Sequence, residues 1–403
     1  MKGNCGFGGF LLQWTRFQRT NSPRRGAEGE GVALKKCLEF ARREVVLTAA
    51  ALLALLSAFA VPPDAQYVGY IDWDTLLLLF SLMAVMAGFQ QQGAFAALGG
   101  RMLRYTPNTR SLSLALVLLP FVLSMLITND VALITFVPFA VTVLRLAGQE
   151  RLLVPVVALQ TAAANLGSML TPVGNPQNLY LYARSGMGLG AFVGLMLPYA
   201  ALSCALLCLL AVRVAPAPVR RMTVRAPLGS RRALLCCTAG FAMCLLCVAG
   251  VLPPALVAAA TVVFLLLFDR PVLRSVDYGL LLTFAAFFVF IGNMGRVPAF
   301  RALIESMLAG RETLAAVLIS QVISNVPCAL LLSGFTSRWE ALIVGCNLGG
   351  LGTLIASMAS LISYKQIAQA CPEQKRAYFL RFTAVNVLLL ALLLLLALAL
   401  GAL

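Results

Sequence analysis

The sequence contains several uninterrupted apolar runs, each long enough to cross a lipid bilayer as one helix. Examples are the runs from Val45 to Val61 and from Phe382 to Leu403. A helix needs about 20 mainly apolar residues to cross the hydrocarbon core. The runs do not alternate with polar residues in segments of about ten, which would indicate a transmembrane β-barrel. With 61% hydrophobic and 11% charged residues, the chain is predicted to be an all-α polytopic membrane protein.

The charged residues lie mostly between these runs and indicate how the chain is oriented. The chain carries 31 Lys and Arg against 15 Asp and Glu, and basic residues concentrate in the amino-terminal tail and between Arg213 and Arg232. Cytoplasmic loops are enriched in Lys and Arg, so the charge favours a topology signal over nucleic-acid binding. We expect a multi-pass protein of the cytoplasmic membrane, with a cytoplasmic N-terminus, no cleaved signal peptide and a C-terminus outside. Arg296, Arg301 and Arg311 oppose this scheme, because it puts their loop outside.

Three pairs of matching segments occur in the same order in the two halves of the chain. Residues 165–182 align without a gap with residues 347–364. The segment that begins at Trp73 matches the one at Val276, and ITNDV matches ISNVP. Such ordered matches predict an internal duplication. One unpaired apolar run lies between the halves, so the second copy would enter the membrane with opposite polarity. Two inverted repeats are therefore predicted.

Two apolar stretches in the first predicted repeat have lengths that do not suit simple spans. Residues 112–144 are too many for one upright helix and too few for two, and TND interrupts them at Thr128–Asp130. Basic residues flank both ends, so we predict a re-entrant helical hairpin. Residues 152–182 contain TPVGNP, and Pro and Gly inside a membrane helix predict a broken helix. The second repeat is predicted to contain the same two features.

These features divide the chain into five predicted parts. They are a cytoplasmic tail (1–43), a first repeat (44–212) with its hairpin tip near 128–130, a basic cytoplasmic linker (213–232), a linking span (233–250) and a second repeat (251–403) with its tip near 324–326. The lengths of the runs predict about nine full spans plus two hairpins.

The four predicted breaks contain the candidate binding residues. Inverted repeats with broken helices are a recurring construction of secondary transporters, whose sites lie near the bilayer midplane. A broken helix directs free N–H groups at an anion, and its unwound carbonyl groups suit a cation such as Na⁺. The substrate-binding candidates are Thr128, Asn129, Thr171, Asn175, Ser324, Asn325, Thr353 and Ser357. The cation-binding and coupling candidates are Asn129, Asp130, Asn165, Gly167, Gly174, Asn325, Asn347 and Gly349. Na⁺ is expected at Asn129, Asp130, Gly174 and Asn325, with the tighter ion site beside Asp130 and Asn175.

Asp130 is the carboxylate that lies deepest within an apolar run. The matched position in the second half is Val326. An acid inside a membrane is costly and is by default a functional candidate. Three roles compete for it: coordination of Na⁺, protonation and release of H⁺, and capping of the second helix of the hairpin.

Other polar residues lie at the ends of predicted spans. Asp74 and Asp277 match between the halves, and we interpret them as helix caps or interfacial anchors. Gln90, Gln91, Gln92 and Asn293 are interpreted as solvated helix ends in preference to an entry path.

The sequence at the four tips resembles a known group of transporters. TNDVALITFVPF, LTPVGNPQNLYLY, SNVPCALLLSGF and NLGGLGTLIAS are similar to the hairpin and broken-helix motifs of the ion transporter superfamily. That superfamily includes citrate and dicarboxylate sodium symporters, arsenite permeases and sodium/proton antiporters. The resemblance implies two re-entrant hairpins, two sodium sites around Asn129 and Asn325, and an elevator-like or rocking motion. Asp130 and Val326 replace the threonines of the symporter tips, which resembles the arsenite permeases more closely.

The sequence therefore predicts a secondary active transporter of a small anion or oxyanion, citrate-like or arsenite-like, coupled to Na⁺ or H⁺. The alternative is a sodium/proton antiporter. An enzyme is not expected, because the chain has no His and no paired acids for catalysis. A channel would need a continuous polar path. No cofactor is expected; the expected partners are the lipid bilayer, a small anionic substrate and a second copy of the chain in a homodimer.

Overall fold

The computed structural model describes residues 44–219 and 228–403, so the predicted tail (1–43) and part of the basic linker (220–227) lie outside the described residues. Within the described ranges the chain is helical, and the β-structure is one isolated bridge between Asn108 and Pro218. The Thr109 hydroxyl donates to Ala215 O at 2.6 Å beside this bridge. The bridge therefore ties the basic linker to the start of the first predicted hairpin.

The first described range contains nine α-helices. They are α1 (Val45–Ala60), α2 (Tyr67–Tyr70), α3 (Trp73–Gln91), α4 (Ala94–Met102), α5 (Thr109–Leu123), α6 (Asn129–Leu146), α7 (Leu153–Ser168), α8 (Pro176–Ser185) and α9 (Leu189–Val212). Short 3₁₀ turns lie at Leu103–Tyr105, Glu150–Leu152 and Pro172–Gly174.

The second described range contains ten α-helices. They are α10 (Arg231–Val248), α11 (Pro254–Phe268), α12 (Arg270–Leu273), α13 (Tyr278–Gly295), α14 (Pro298–Leu308), α15 (Glu312–Ile323), α16 (Asn325–Ser333), α17 (Trp339–Leu348), α18 (Met358–Ala370) and α19 (Lys375–Ala399). A 3₁₀ turn at Pro372–Gln374 precedes α19.

Six helical segments in the described ranges are long and apolar enough to cross a membrane. They are Trp73–Gln91, Asn129–Leu146, Leu189–Val212, Arg231–Val248, Tyr278–Gly295 and Pro372–Ala399. The prediction of a polytopic helical membrane protein agrees with these helices. Shorter apolar helices, such as α1 and α11, lie beside them.

The helices break at the residues that the sequence singled out. In the first half, Pro172 and Pro176 cannot donate a backbone hydrogen bond, and α7 ends before them at Ser168. In the second half the corresponding segment contains no Pro. There Gly352 adopts a φ of 102°, which glycine accepts without steric cost. The two breaks therefore have different local causes.

Helices from the two halves of the chain pack against one another. Helix α1 packs against α13, and α3 packs against α11. In the same way α8 packs against α16, and α6 packs against α18. Most of the buried apolar side chains form one continuous core across these contacts.

The starts of α3 and α13 correct one sequence interpretation. Asp277 caps α13, because its Oδ1 accepts from Leu280 N at 2.9 Å, as predicted. The corresponding cap of α3 is Asp72, which accepts from Thr75 N at 3.0 Å. Asp74 lies inside the first turn, because the helix begins one residue earlier, at Trp73. Asp74 is therefore not a cap, and its other interpretation, as an interfacial anchor, stays a prediction.

Candidate functional site

The tip between α5 and α6 is organised by its own side chains. Thr128 precedes α6, and its Oγ1 accepts from Val131 N at 3.5 Å. Asn129 Oδ1 accepts from Asp130 N at 2.9 Å. Thr128 therefore caps the helix, and the proposed capping role of Asp130 was wrong. In the described part of the chain, the carboxylate of Asp130 receives no hydrogen bond.

Asp130 instead faces a small cavity of about 130 Å³. Thr128 and Asn175 line the same cavity, so the structure brings together three residues predicted from two different breaks. Much of the remaining wall is apolar and comes from α3, including Leu79, Leu82, Met83 and Met86. The polar residues Gln90, Ser275 and Asp277 complete it.

Asn175 contributes an unpartnered oxygen beside this cavity. Its Nδ2 donates to Ser168 Oγ at 2.7 Å, and the side chain is 3% exposed. Among the described residues, no donor reaches its buried Oδ1. Burying a polar group without a partner is costly, so such an atom calls for a ligand, an ion or water. An amide oxygen suits Na⁺, since hard cations prefer oxygen ligands.

Two helices begin at the cavity. Thr128 is the N-cap of α6 and Asn175 is the N-cap of α8, and both line the wall. Helix N-termini carry partial positive charge and free N–H groups, which attract anions. The cavity thus combines a carboxylate and an amide oxygen suited to a cation with two helix ends suited to an anion.

Asn165 links the first tip to the second half of the chain. Its Oδ1 accepts from Asn129 Nδ2 at 2.9 Å and from Ser357 Oγ at 3.1 Å. Its Nδ2 donates to Ser360 Oγ at 3.3 Å. Three of the predicted residues, Asn129, Asn165 and Ser357, therefore form one buried network between the two broken helices.

The second tip, between α15 and α16, is arranged differently. Ser324 has a φ of 77°, a conformation that is strained for a residue with a side chain. Asn325 N donates to Ala356 O at 3.0 Å, which ties the tip to the second unwound segment. Asn347 Nδ2 donates to Asn178 Oδ1 at 2.7 Å, and Asn347 Oδ1 is buried without a donor in the described part. Neither Ser324 nor Asn325 lines the cavity at Asp130.

The matched glycines mark close approaches between each hairpin and its broken helix. A Cβ on Gly167 would lie 2.6 Å from Ser124 Oγ, and one on Gly349 would lie 2.6 Å from Ser320 Oγ. A Cβ on Gly174 would lie 2.7 Å from Ser124 O. Close packing thus accounts for these glycines, and their role as cation ligands stays a prediction.

The matched threonines make equivalent hydrogen bonds in the two halves. The Thr171 hydroxyl donates to Met125 O. The Thr353 hydroxyl donates to Gln321 O at 3.1 Å. Met125 and Gln321 occupy matching positions, three residues before Thr128 and Ser324. Both threonines thus fasten an unwound segment to its hairpin, and neither of them lines the cavity at Asp130.

Gln321 is a residue that the sequence reasoning missed. Its Nε2 donates to Gly349 O at 3.0 Å and to Leu351 O at 2.9 Å, and its Oε1 accepts from Thr353 N at 2.9 Å. One side chain therefore satisfies three backbone groups of the unwound segment between α17 and α18. The sequence did contain a signal for this role, because Gln321 is an amide side chain in an apolar helix, three residues before a predicted tip.

Two further residues correct the interpretation of span ends. Asp277 caps α13 but also lines the cavity that contains Asp130. Asn293 is fully buried, and its Nδ2 donates to Ser57 Oγ at 2.9 Å and to Tyr67 Oη at 2.8 Å. Its interpretation as a solvated helix end was wrong, because α1 and α2 cover that end of α13.

Acid–base pairs in the described ranges lie away from this site. Arg296 contacts Asp64 at 2.7 Å, and this hydrogen bond lowers the pKa of the Asp64 carboxyl below its usual value. Arg338 contacts Glu312 at 3.1 Å. The wall of the 130 Å³ cavity includes no Lys or Arg. Among the described residues, no Lys or Arg forms an ion pair with Asp130.

The sequence is similar to known transport proteins over most of its length. Residues 35–336 match the family described as Citrate transporter. Inner membrane protein YbiR of Escherichia coli is 33% identical over 324 residues, which cover 77% of this chain and 84% of that protein. An uncharacterized transporter of Methanocaldococcus jannaschii is 30% identical over 317 residues, covering 78% and 86% respectively. A silicon efflux transporter of Oryza sativa is 32% identical over 154 residues, covering 38% and 31%.

These matches confirm the resemblance to the ion transporter superfamily that was inferred from the sequences of the four tips. They identify the protein as a transporter and not an enzyme. The chain belongs to the citrate transporter family of membrane proteins.

Proposed function

We propose that the protein is a secondary active transporter that moves a small anion or oxyanion across the cytoplasmic membrane, coupled to Na⁺ or H⁺ by alternating access. The main observation in support of this proposal is the cavity lined by Asp130, Thr128 and Asn175. The unpaired carboxylate of Asp130 and the unpartnered Oδ1 of Asn175 supply oxygen ligands for a cation. The N-termini of α6 and α8 supply the positive potential for an anion.

The proposed architecture is two inverted repeats, each with a re-entrant hairpin and a broken helix. Helices α1 to α9 would correspond in order to α11 to α19, with α10 unpaired. The packing supports this architecture. Where a helix of the first half contacts a helix of the second half, the two corresponding helices also contact each other. The contact of α1 with α13 corresponds to that of α11 with α3, and the contact of α8 with α16 corresponds to that of α18 with α6. With the basic linker inside, the N-terminus is cytoplasmic and the C-terminus lies outside.

The volume of the cavity favours a small solute. The volume of the cavity is about 130 Å³. Pockets for drug-sized organic ligands are larger, about 300–1,000 Å³. We therefore place the substrate toward the arsenite-like end of the proposed range and away from citrate. A relative named as a silicon efflux transporter is consistent with a small inorganic solute.

The wall charges favour one alternative, a sodium/proton antiporter. Asp130 and Asp277 both line the cavity, and its wall includes no Lys or Arg. Two carboxylates without a basic neighbour attract Na⁺ or H⁺ more readily than an anion. In this alternative the cavity exchanges Na⁺ and H⁺ at Asp130, and the helix ends bind no substrate.

Uptake by proteoliposomes distinguishes these functions. Purified protein would be tested with arsenite, sulfate, succinate and citrate, each with and without Na⁺ and pH gradients. Gradient-dependent uptake of one solute, with arsenite preferred to citrate, is the expected result. If none of these solutes moves while Na⁺ and H⁺ exchange, the antiporter is correct and the anion transporter is not. Cross-linking in membranes tests the proposed homodimer separately.

A further inference from the structure

A second and larger cavity lies along the same helix as the cavity at Asp130. Its volume is about 660 Å³, and its wall includes Asp72, Trp73, Asp74 and Arg184. No residue of the predicted hairpin tips lines it. The larger cavity is therefore a separate space, although helix α3 borders both cavities.

The two cavities follow one another along α3. Trp73, Asp74, Thr75 and Leu78 line the larger cavity. Farther along the helix, the smaller cavity is lined by Leu79, Leu82, Met83, Met86, Ala87 and Gln90. Trp73 and Gln90 are about 26 Å apart at the helical rise of about 1.5 Å per residue. The hydrocarbon core of a bilayer is about 30 Å thick, so the two cavities together extend along almost a full membrane crossing.

Helix α8 borders the same two cavities, in the reverse order along the chain. Its first turn, at Pro176, lines the smaller cavity, and its last turn, from Tyr182 to Arg184, lines the larger one. Leu179 lies between these turns, is 2% exposed and belongs to both walls. Helices α3 and α8 pack against each other. On α3, Leu78 lines the larger cavity and Leu79 lines the smaller one, so the boundary between the cavities lies at these two residues and at Leu179.

We propose that the two cavities are the two ends of one solute route along the seam between α3 and α8, and that Leu179 is the constriction that closes it. This inference rests on the proposed function in one respect, that a solute binds at the Asp130 cavity. Polar residues line both ends, whereas leucines separate them. An apolar constriction excludes water and ions until it opens. Since α8 begins directly after the break at Gly174 and Asn175, a backbone change there would displace Leu179.

The test is the side from which each cavity can be reached by a thiol reagent. Met83 lines the smaller cavity and Ala183 the larger one, and neither is a proposed ligand. Met83→Cys and Ala183→Cys would each be labelled in oriented vesicles with a membrane-impermeant maleimide, and the modified peptide would be identified by mass spectrometry. The expected result is that the two cysteines are labelled from opposite faces of the membrane. Labelling of both from the same face would overturn the proposal.

The constriction is tested by adding Leu179→Ala to the Met83→Cys protein. The expected result is a gain of labelling at position 83 from the face that reaches position 183. Leu181→Ala is the matched control, because Leu181 is 0% exposed in the same helix and lines neither cavity. The proposal is wrong if both alanine variants label alike. Should Leu179→Ala not fold, Leu78→Ala opens the opposite side of the same constriction and must produce the same gain.

Failure of this proposal and failure of the proposed function have different signatures. Labelling needs no transported solute, so opposite-face labelling with the Leu179 effect would establish the route even if every tested solute is refused. Conversely, gradient-driven uptake together with same-face labelling would support the transporter and reject the route along α3 and α8.

Discussion

Replacing Gln321 by Met should release the unwound segment between α17 and α18 from helix α15. The change makes this position resemble its counterpart in the first half, Met125, and it nearly conserves side-chain volume. Three hydrogen bonds to that segment are lost, to Gly349 O, to Leu351 O and from Thr353 N.

The cost follows from the number of bonds and from their surroundings. A hydrogen bond contributes about 1 kcal/mol net, so losing three lowers the free energy of unfolding by about 3 kcal/mol. Two of the three bonds are partly buried and the one from Thr353 N is exposed, so no additional cost for burial is included. The Thr353 hydroxyl bond to Gln321 O is a backbone contact and survives the substitution.

Hydrogen exchange and thermal melting in detergent measure the two consequences. Gln321→Met should speed amide exchange in residues 349–357 and lower the melting temperature. Gln91→Met is the control, because Gln91 is exposed and makes one side-chain bond, to Ser275 Oγ at 3.1 Å. Equal melting temperatures and unchanged exchange in that segment would refute the assignment of Gln321 as its anchor.

Three further predictions concern the site, the packing and the surface. Asp130→Asn should abolish transport or remove its dependence on Na⁺ and pH in proteoliposomes. Glu305→Gln, on an exposed helix face, is the control and should leave transport and its ion dependence unchanged. Normal ion dependence in Asp130→Asn would exclude the coupling role. Gly167→Ala should destabilise the protein by about 1–3 kcal/mol through overpacking, measured by thermal melting, while Gly188→Ala, with open space around it, should not. The lowered pKa of Asp64 means that its pair with arginine stabilises the fold above about pH 4 and that this stabilisation is lost as the pH falls through the folded-state pKa. Asp64→Asn should therefore flatten the acid limb of a melting-temperature profile, by a small amount because the pair is exposed; an identical profile would reject this contribution.

Three residues of the candidate site were predictable, because membrane sequences restrict where polar residues can lie. Thr128, Asp130 and Asn175 stood out as polar residues at breaks in apolar runs, and the structure places all three around one cavity. Asp277 was set aside, because a carboxylate at the start of a helix is adequately explained as a cap. It does cap α13, and only the packing of α13 beside α3 revealed its second position in the cavity wall.

The matched residues of the two halves were not equally informative. Gly167 and Gly349 both lie against a serine of the neighbouring hairpin, as the internal match suggested. Asn129 and Asn325 have different partners, because Asn129 bonds to Asn165 whereas Asn325 uses its backbone N–H to bind Ala356 O. Sequence matching finds equivalent positions, but it does not predict which of several amides will pair.

The sequence by itself determined the helical membrane character of the chain, the positions of its breaks and the residue types available there. These are local properties, since a lipid environment forces each apolar run to satisfy its own backbone hydrogen bonds and makes Pro, Gly and Asp conspicuous exceptions. Only the tertiary structure decided that the start of α13 would contribute Asp277 to the Asp130 cavity, that Gln321 would hold a distant unwound segment, and that Leu179 would separate two cavities. Those relations depend on which helix faces meet, and contacts between residues tens to hundreds of positions apart leave no local pattern in a single sequence.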